Sequence, residues 1–253
     1  MNTSLETASP AILVDNISVH YERTKNQASS IKEVLVHLLR KKPKSETIKA
    51  LDGVSLDIKR GETYGVIGRN GSGKSTLLKA LSKIIYPTTG RIQIWGKVTP
   101  LLGVGAGFHP DLTGRENIIL YSTVLGRTAA RTKELFDEIV EFAELEDFIE
   151  EPIRIYSSGM VARLGFAIAM AERPEILLVD EVLSVGDEKF AEKCKGKFDQ
   201  FCSSGTTVVF ISHNLGAVRD MCTRTSWLHK GKILQTGKTS DIIDEYKKFL
   251  WKR

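Results

Sequence analysis

Apolar and polar positions recur along this chain with two different periods, and these periods predict where strands and helices lie. Alternating or unbroken apolar runs, typical of strands, occur at Ala11–Val14, Ile17–Tyr21, Val54–Ile58, Thr63–Ile67, Arg91–Trp95, Ile176–Asp180, Thr206–Ser212 and Thr225–Leu228. Apolar residues at helical spacing occur at Thr76–Ile84, Ile118–Leu125, Leu135–Leu145, Val161–Glu172 and Asp241–Trp251. A turn at Lys230-Gly231 predicts a hairpin over Trp227–Leu234.

The order of these elements predicts the fold class. Strands dominate residues 1–112, helices alone fill residues 113–172, and strands with crossover helices return over residues 173–253. This order is typical of an α/β core, a mixed β-sheet with helices, that is interrupted by an inserted α-helical subdomain. We therefore expect one domain over residues 1–253.

Residues 27–44 have a different pattern, that of an inserted amphipathic helix with a basic end. Ser30 and Glu33 form a capping box in sequence, and Pro43 ends the pattern. The apolar stripe consists of Ile31, Val34, Leu35, Leu38 and Leu39. Two interpretations stay open: the stripe packs on the sheet of this protein, or it lies against a membrane partner at the level of the lipid headgroups.

Composition excludes several classes of protein. Hydrophobic residues make up 42% and charged residues 26% of the 253 residues, so the chain can bury a core. No apolar run approaches the roughly 18–20 residues of a membrane span, and the first ten residues lack the features of a secretory signal. Cys194, Cys202 and Cys222 are expected to be reduced thiols. The net charge of +5 is compatible with anionic ligands.

A glycine-rich loop after the fourth predicted strand carries the clearest chemistry. The segment from Gly68 to Ser75 fits the pattern G-x-x-x-x-G-K-[ST], which cradles the phosphates of a nucleotide with backbone N–H groups. The lysine reaches the β- and γ-phosphates, and the serine binds Mg²⁺. The predicted phosphate-binding residues are Gly68, Asn70, Gly71, Ser72, Gly73, Lys74, Ser75 and Thr76.

Three further segments carry polar residues where strands end or helices begin. Asp180 and Glu181 end a buried-looking strand; the first carboxylate is predicted to hold Mg²⁺, and the second to polarise a water. His213 ends another strand and is predicted to reach the same γ-phosphate. The segment Tyr156-Ser157-Ser158-Gly159-Met160 precedes a helix, so its small residues form either an anion site or a plain capping turn.

Together, these motifs resemble the nucleotide-binding subunit of an ABC transporter, over nearly the whole chain. The glycine-rich loop matches the Walker A motif of that family, and Asp180 with Glu181 matches Walker B and the catalytic glutamate. The resemblance implies that Asp187 belongs to the D-loop and that His213 is the switch histidine. It also implies that Tyr21 stacks on adenine.

Two departures from the family pattern indicate a subgroup of the family. The signature, from Tyr156 to Met160, has Ser158 and Met160 in place of a glycine and a glutamine, and Gly103-Val104 replaces the Q-loop glutamine. These features resemble the ATPase subunits that export bacterial cell-surface polysaccharides of the O-antigen, capsule and teichoic-acid types. Some of these subunits carry a C-terminal glycan-binding domain, and we expect none in this chain.

The resemblance implies a complete mechanism. Two copies form a head-to-tail homodimer, and the signature residues of one copy contact the ATP and Mg²⁺ bound by the other. Two copies of an integral-membrane permease complete the transporter on the cytoplasmic face of the bacterial inner membrane. The dimer then drives translocation of a lipid-linked glycan, which passes near residues 31–42.

Two other classes of protein are alternatives to this interpretation. One is a soluble ABC-type ATPase of translation or DNA repair, for which the basic stretch Arg40–Lys44 would bind nucleic acid. Such proteins usually carry two nucleotide domains or a long coiled-coil insert, so no nucleic acid is expected here. The other class is a P-loop kinase for small molecules, which needs neither the signature nor the histidine.

Overall fold

The computed structural model describes residues 9–24, 45–101, 105, 107–180 and 187–251. The strands are β1 (Pro10–Thr24), β2 (Ser45–Lys59), β3 (Thr63–Ile67), β4 (Thr89–Ile94), β5 (Val98–Leu101), β6 (Ile176–Asp180), β7 (Thr207–Ile211), β8 (Arg224–His229) and β9 (Lys232–Lys238). The α-helices are α1 (Lys74–Leu81), α2 (Gly114–Val124), α3 (Ala129–Ala143), α4 (Ser158–Met170), α5 (Glu188–Ser203), α6 (Leu215–Met221) and α7 (Thr239–Trp251).

A six-stranded sheet with the order β5-β6-β7-β3-β8-β9 forms the centre of the molecule. All its neighbouring strands run parallel except β8 and β9, which form the predicted hairpin. Every residue of β3 and β7 is buried, as unbroken apolar strands of a parallel sheet require. Because β7 lies between β6 and β3, the carboxyl ends of these three strands meet at one edge of the sheet.

A smaller antiparallel sheet with the order β2-β1-β4 packs beside the first one. The two strands predicted over residues 11–14 and 17–21 are one strand, β1, and the prediction of a break between them was wrong. The register shifts between Val14 and Ile17, and Asn16 lies there with a left-handed φ of 49°. This irregularity, together with three further register shifts along β1, therefore disturbs the strand pairing locally without ending the strand.

Helix α1 is held between the two sheets. Its buried residues Leu77, Leu78 and Leu81 belong to an apolar cluster that includes side chains of β1, β2, β3 and β6. The predicted helix at Thr76–Ile84 is therefore present but begins two residues earlier, at Lys74, and ends at Leu81. This packing fixes the amino end of α1 next to the end of β3.

Helices α2, α3 and α4 form a separate apolar cluster, as the inserted helical region predicts. Thr113 begins α2 with a capping box to Glu116. Arg127, with its side chain only 4% exposed, donates to the carbonyl of Ile168 on α4 at 2.6 Å and pairs with Glu172 at 3.4 Å. These contacts join α4 to the loop between α2 and α3.

Strand β5 and helices α5 and α6 were not assigned from the sequence, although crossover helices in general were expected. The predicted amphipathic helix at residues 27–44 lies outside the described residues. None of the helices in the described ranges is long and apolar enough to cross a membrane.

Candidate active site

A cavity of about 640 Å³ opens where β3 runs into α1. The predicted phosphate loop forms one wall, and the end of β6 contributes another. The lining residues are Ile48, Lys49, Ala50, Asn70, Gly71, Gly73, Lys74, Ser75, Thr76, Asp180, Lys230 and Gly231. The fold thus brings residues from four separate segments of the chain to one concave site.

Two glycines of the loop are required by the backbone that surrounds them. A Cβ atom on Gly68 would lie 2.2 Å from the carbonyl oxygen of Leu228, a distance no packed structure accepts. Gly73 has a φ of 109°, and a Cβ there would lie 2.6 Å from the carbonyl oxygen of Ala50. The loop therefore passes so close to β2 and β8 that only glycine fits.

Lys74 is the buried cation of the site. Its Nζ donates to the carbonyl of Gly68 at 2.8 Å and to the carbonyl of Arg69 at 3.2 Å, so the side chain curls back over the loop. Its side chain lies at the amino end of α1, whose free N–H groups and dipole also favour an anion. The geometry is that of a receptor for a phosphate group.

Ser75 and Asp180 line the same cavity. Mg²⁺ is usually held by one or two carboxylates or hydroxyls together with waters and phosphate oxygens of the substrate. No cluster of three or more His, Cys, Asp or Glu side chains occurs in the described ranges. One hydroxyl and one carboxylate next to a phosphate site fit a magnesium ion that enters with its nucleotide.

His213 follows β7 and lies on the other side of the phosphate loop. It lines a cavity of about 410 Å³ together with Gly68, Arg69, Asn70, Tyr246 and Leu250. The imidazole thus lies beside the first residues of the loop, in a cavity other than the one that Lys74 lines, and its contact with the γ-phosphate stays a prediction. Ser212 helps to fix this segment, because its Oγ accepts from the N–H of Asn214 at 3.0 Å.

Tyr21 is near the cavity but is not among the described residues that line it. It pairs with Ile48 across β1 and β2, and Ile48 is a lining residue. The tyrosine ring is 41% exposed. The role of Tyr21 in stacking on adenine stays a prediction, and its position near the rim of the cavity is compatible with it.

The signature segment begins α4, on the helical side of the molecule. Ser157 is the N-cap, and its Oγ accepts from the N–H of Met160 at 3.2 Å. Ser157 and Ser158 are exposed, whereas Gly159 and Met160 are half-buried. None of the five residues from Tyr156 to Met160 lines the cavity of the phosphate loop.

Tyr156 has a different position from the rest of the signature. Its ring is buried among the helices, and its hydroxyl donates to the carbonyl of Phe148 at 2.6 Å. Burial raises the pKa of Tyr156 to about 12, so the hydroxyl keeps its proton at neutral pH. The side chain therefore anchors the segment to the helical core, while Ser157 and Ser158 are exposed.

Several predicted site residues lie outside the described residues, namely Glu181, Gly103-Val104 and Ser184–Gly186. Asp187, the last residue of the predicted D-loop, is described. It is the exposed N-cap of α5, and its carboxylate accepts from the N–H of Phe190 at 2.9 Å.

The structure also adds lining residues that sequence reasoning missed. Ile48, Lys49 and Ala50 come from β2, and Lys230 and Gly231 come from the β8–β9 turn. The sequence held one signal, since Lys230-Gly231 was recognised as a turn, but no motif linked that turn to the phosphate loop.

Replacing Gly68 with alanine is expected to destabilise the protein by about 1–3 kcal/mol, as overpacking does, because the new Cβ meets a backbone carbonyl. Gly196→Ala in helix α5 is the control, since no atom lies within 4 Å of its Cβ position and its φ is not left-handed. This change is expected to stabilise the helix by about 0.5–1 kcal/mol. Thermal unfolding of both variants checks the difference. Equal melting temperatures would show that the loop does not approach β8 this closely.

Comparison with known proteins agrees with this geometry. A family model described as "ABC transporter" matches residues 51–184. The chain is 44% identical to the O-antigen export system ATP-binding protein RfbB of Myxococcus xanthus, over 96% of this chain and 56% of that protein. It is 40% identical to the RfbB protein of Klebsiella pneumoniae, over 94% of this chain and 98% of that one. The teichoic acids export ATP-binding protein TagH of Listeria innocua is 42% identical over 94% of this chain and 70% of its own length.

Solved structures with the same fold include a dimeric bacterial ABC transporter cassette. It matches with a TM-score of 0.70 at 25% identity and covers 90% of this chain and 98% of its own. The ATP-binding subunit of an ABC transporter matches with a TM-score of 0.72 at 19% identity, covering 94% of this chain and 93% of its own, and shows the fold alone. The chain therefore belongs to the ABC transporter family and has the fold of its ATPase cassette.

Proposed function

We propose that this chain binds and hydrolyses MgATP, and that the hydrolysis drives export of a lipid-linked cell-surface polysaccharide across the bacterial inner membrane. One observation carries the enzymatic part: Lys74, Ser75 and Asp180 line a single cavity at the end of the central sheet. The O-antigen and teichoic-acid export proteins, similar over at least 94% of this chain, support the cargo class.

Within this proposal, each side chain around the cavity has a different role in phosphoryl transfer. The ammonium of Lys74 exchanges its carbonyl partners for the β- and γ-phosphate oxygens, and Ser75 and Asp180 hold Mg²⁺. Glu181 follows Asp180 in sequence and takes the proton of the attacking water. His213 stabilises the charge that develops on the transferred group.

The site is proposed to be completed by a second copy of the chain. Ser157, Ser158 and Gly159 lie at the amino end of α4, where free N–H groups favour an anion. None of the three lines the cavity of the phosphate loop in its own chain. Their contact with ATP therefore requires the ATP bound by another copy. The similar cassette solved as a dimer supports this arrangement.

A membrane-embedded permease is the further partner in this proposal. The chain would act at the cytoplasmic face of the membrane through two copies of that permease. The segment 27–44 would contact the permease, the lipid surface or the pyrophosphate of the glycan carrier, since its basic end suits an anionic group.

Reconstitution with the permease tests the cargo. We suggest co-expressing this chain with a candidate multi-span permease and placing the purified complex in lipid nanodiscs. The proposal predicts that lipid-linked polysaccharide stimulates ATP hydrolysis, and that a complex carrying Lys74→Ala shows no stimulated activity. An ATPase that forms no complex with the membrane protein, or that ignores the glycan, contradicts the export function while leaving the ATPase site intact.

A further inference from the structure

The turn between β8 and β9 is attached directly to the phosphate loop. The N–H of Gly231 donates to the carbonyl of Ser72 at 2.8 Å, and its carbonyl accepts from the N–H of Asp52 at 2.9 Å. Lys230 and Gly231 both have left-handed φ values, 47° and 78°, as in the tight two-residue turns of hairpins. Backbone contacts on both sides therefore fix the backbone of the turn, from which the side chain of Lys230 extends.

The space around Gly231 confirms how closely this turn is held. A Cβ at Gly231 would lie 2.9 Å from the carbonyl oxygen of Ala50, the same oxygen that a Cβ at Gly73 would approach to 2.6 Å. Ala50 thus lies between the turn and the phosphate loop. As a result, Lys230 lines the same cavity as Gly73, Lys74 and Ser75.

The charges near the turn leave Lys230 available to a ligand. Lys49 and Lys232 both pair with Asp52, at 3.6 and 3.2 Å. Lys230 has no ion pair with any residue in the part of the chain that the structure describes. A second ammonium group therefore faces a cavity that already contains Lys74, and the local excess of positive charge favours a polyanion.

We propose that Lys230 is a nucleotide-binding residue whose ammonium group contacts the polyphosphate chain of the bound nucleotide. This inference rests on the proposed function, since it takes ATP as the occupant of the cavity. Lys230 lines the cavity together with Ala50, Gly73, Lys74, Ser75 and Asp180. The proposed contact is with the phosphates that ATP and ADP share.

A lysine in this position acts as a point charge and makes the same contact before and after hydrolysis. It therefore contributes equally to the binding of ATP and ADP and leaves the chemical step unchanged. Because the cavity is open to solvent, salt weakens the interaction.

Three variants separate the charge of Lys230 from the shape of the turn. Lys230→Asn removes the charge and keeps the turn, because asparagine before glycine suits a left-handed turn. Lys230→Arg keeps the charge. Lys232→Gln is the matched control, since it removes the same charge from the same hairpin at a residue that does not line the cavity.

Calorimetric titration with MgATP and with MgADP, at low and high salt, gives the dissociation constants. We expect Lys230→Asn to bind both nucleotides about five- to tenfold more weakly at low salt, as the loss of one charge-assisted contact predicts. The difference should shrink at high salt, Lys230→Arg should bind as the wild type does, and Lys232→Gln should change little.

Equal dissociation constants for Lys230→Asn and the wild type would overturn this inference and leave the proposed function standing. A loss that Lys230→Arg fails to restore would also overturn it, because the turn and not the charge would then be responsible. If the wild type binds neither nucleotide, the proposed function itself fails and the inference fails with it.

Discussion

Replacing Lys74 with alanine is expected to abolish ATP hydrolysis and to weaken MgATP binding strongly, while the protein stays folded. The ammonium is the buried cation of the cavity, and it donates hydrogen bonds to the carbonyls of Gly68 and Arg69. Losing these bonds costs about 1–2 kcal/mol of folding free energy at most. Losing the charge removes the partner of the β- and γ-phosphates.

Lys79→Ala is the matched control for this experiment. Lys79 lies on the same helix α1 but is exposed, so its removal changes the net charge equally without altering the cavity. Phosphate release and nucleotide titration give the two readouts, and circular dichroism reports the fold. Normal turnover in a folded Lys74→Ala variant would show that this loop does not bind the reacting phosphates.

The second large effect is expected from Glu181→Gln. Glutamine cannot accept the proton of the attacking water, so hydrolysis should fall by at least ~100-fold, the typical contribution of a general base. MgATP binding should survive, because Lys74, Ser75 and Asp180 are unchanged. Slow hydrolysis together with normal MgATP binding would distinguish the role of Glu181 from that of the residues that hold the nucleotide.

Glu188→Gln provides the control for the loss of a carboxylate nearby. Glu188 is exposed in the first turn of α5 and lies outside the cavity of the phosphate loop. Single-turnover measurement with radiolabelled ATP separates slow chemistry from slow product release. A Glu181→Gln variant that hydrolyses ATP at the normal rate would assign the base to another residue.

The central strands were predictable because their apolar runs are continuous. The predicted bounds of β3 and β6 agree with the structure residue for residue, since each is a short apolar run between polar or glycine residues. Strand β5 was missed because Val98–Leu101 has neither a long apolar run nor clear alternation, and it contains Pro100. Helix α5 was missed although Phe190, Cys194, Phe198 and Phe201 recur on one face, because a long charged face surrounds them.

The residues of the candidate site were likewise predictable only in part. A motif of local sequence, from Gly68 to Ser75, was sufficient to find the phosphate loop, and the order of strands explains why Asp180 and His213 come near it. The contributions of β2 and Lys230 depend on a hydrogen bond between Gly231 and Ser72, which are far apart in sequence. Only the packing of two sheets against α1 creates that contact, and no local pattern encodes it.

The most direct test of the central claim, a composite ATPase site shared by two copies, is the molar mass of Glu181→Gln in MgATP and in MgADP. Light scattering should give about twice the chain mass of 28.1 kDa in MgATP and the single mass in MgADP. Adding Ser157→Arg to the same chain should prevent the dimer, because Ser157 caps the helix that faces the partner's ATP in this account. A protein that binds MgATP, hydrolyses none and stays a monomer would contradict the account.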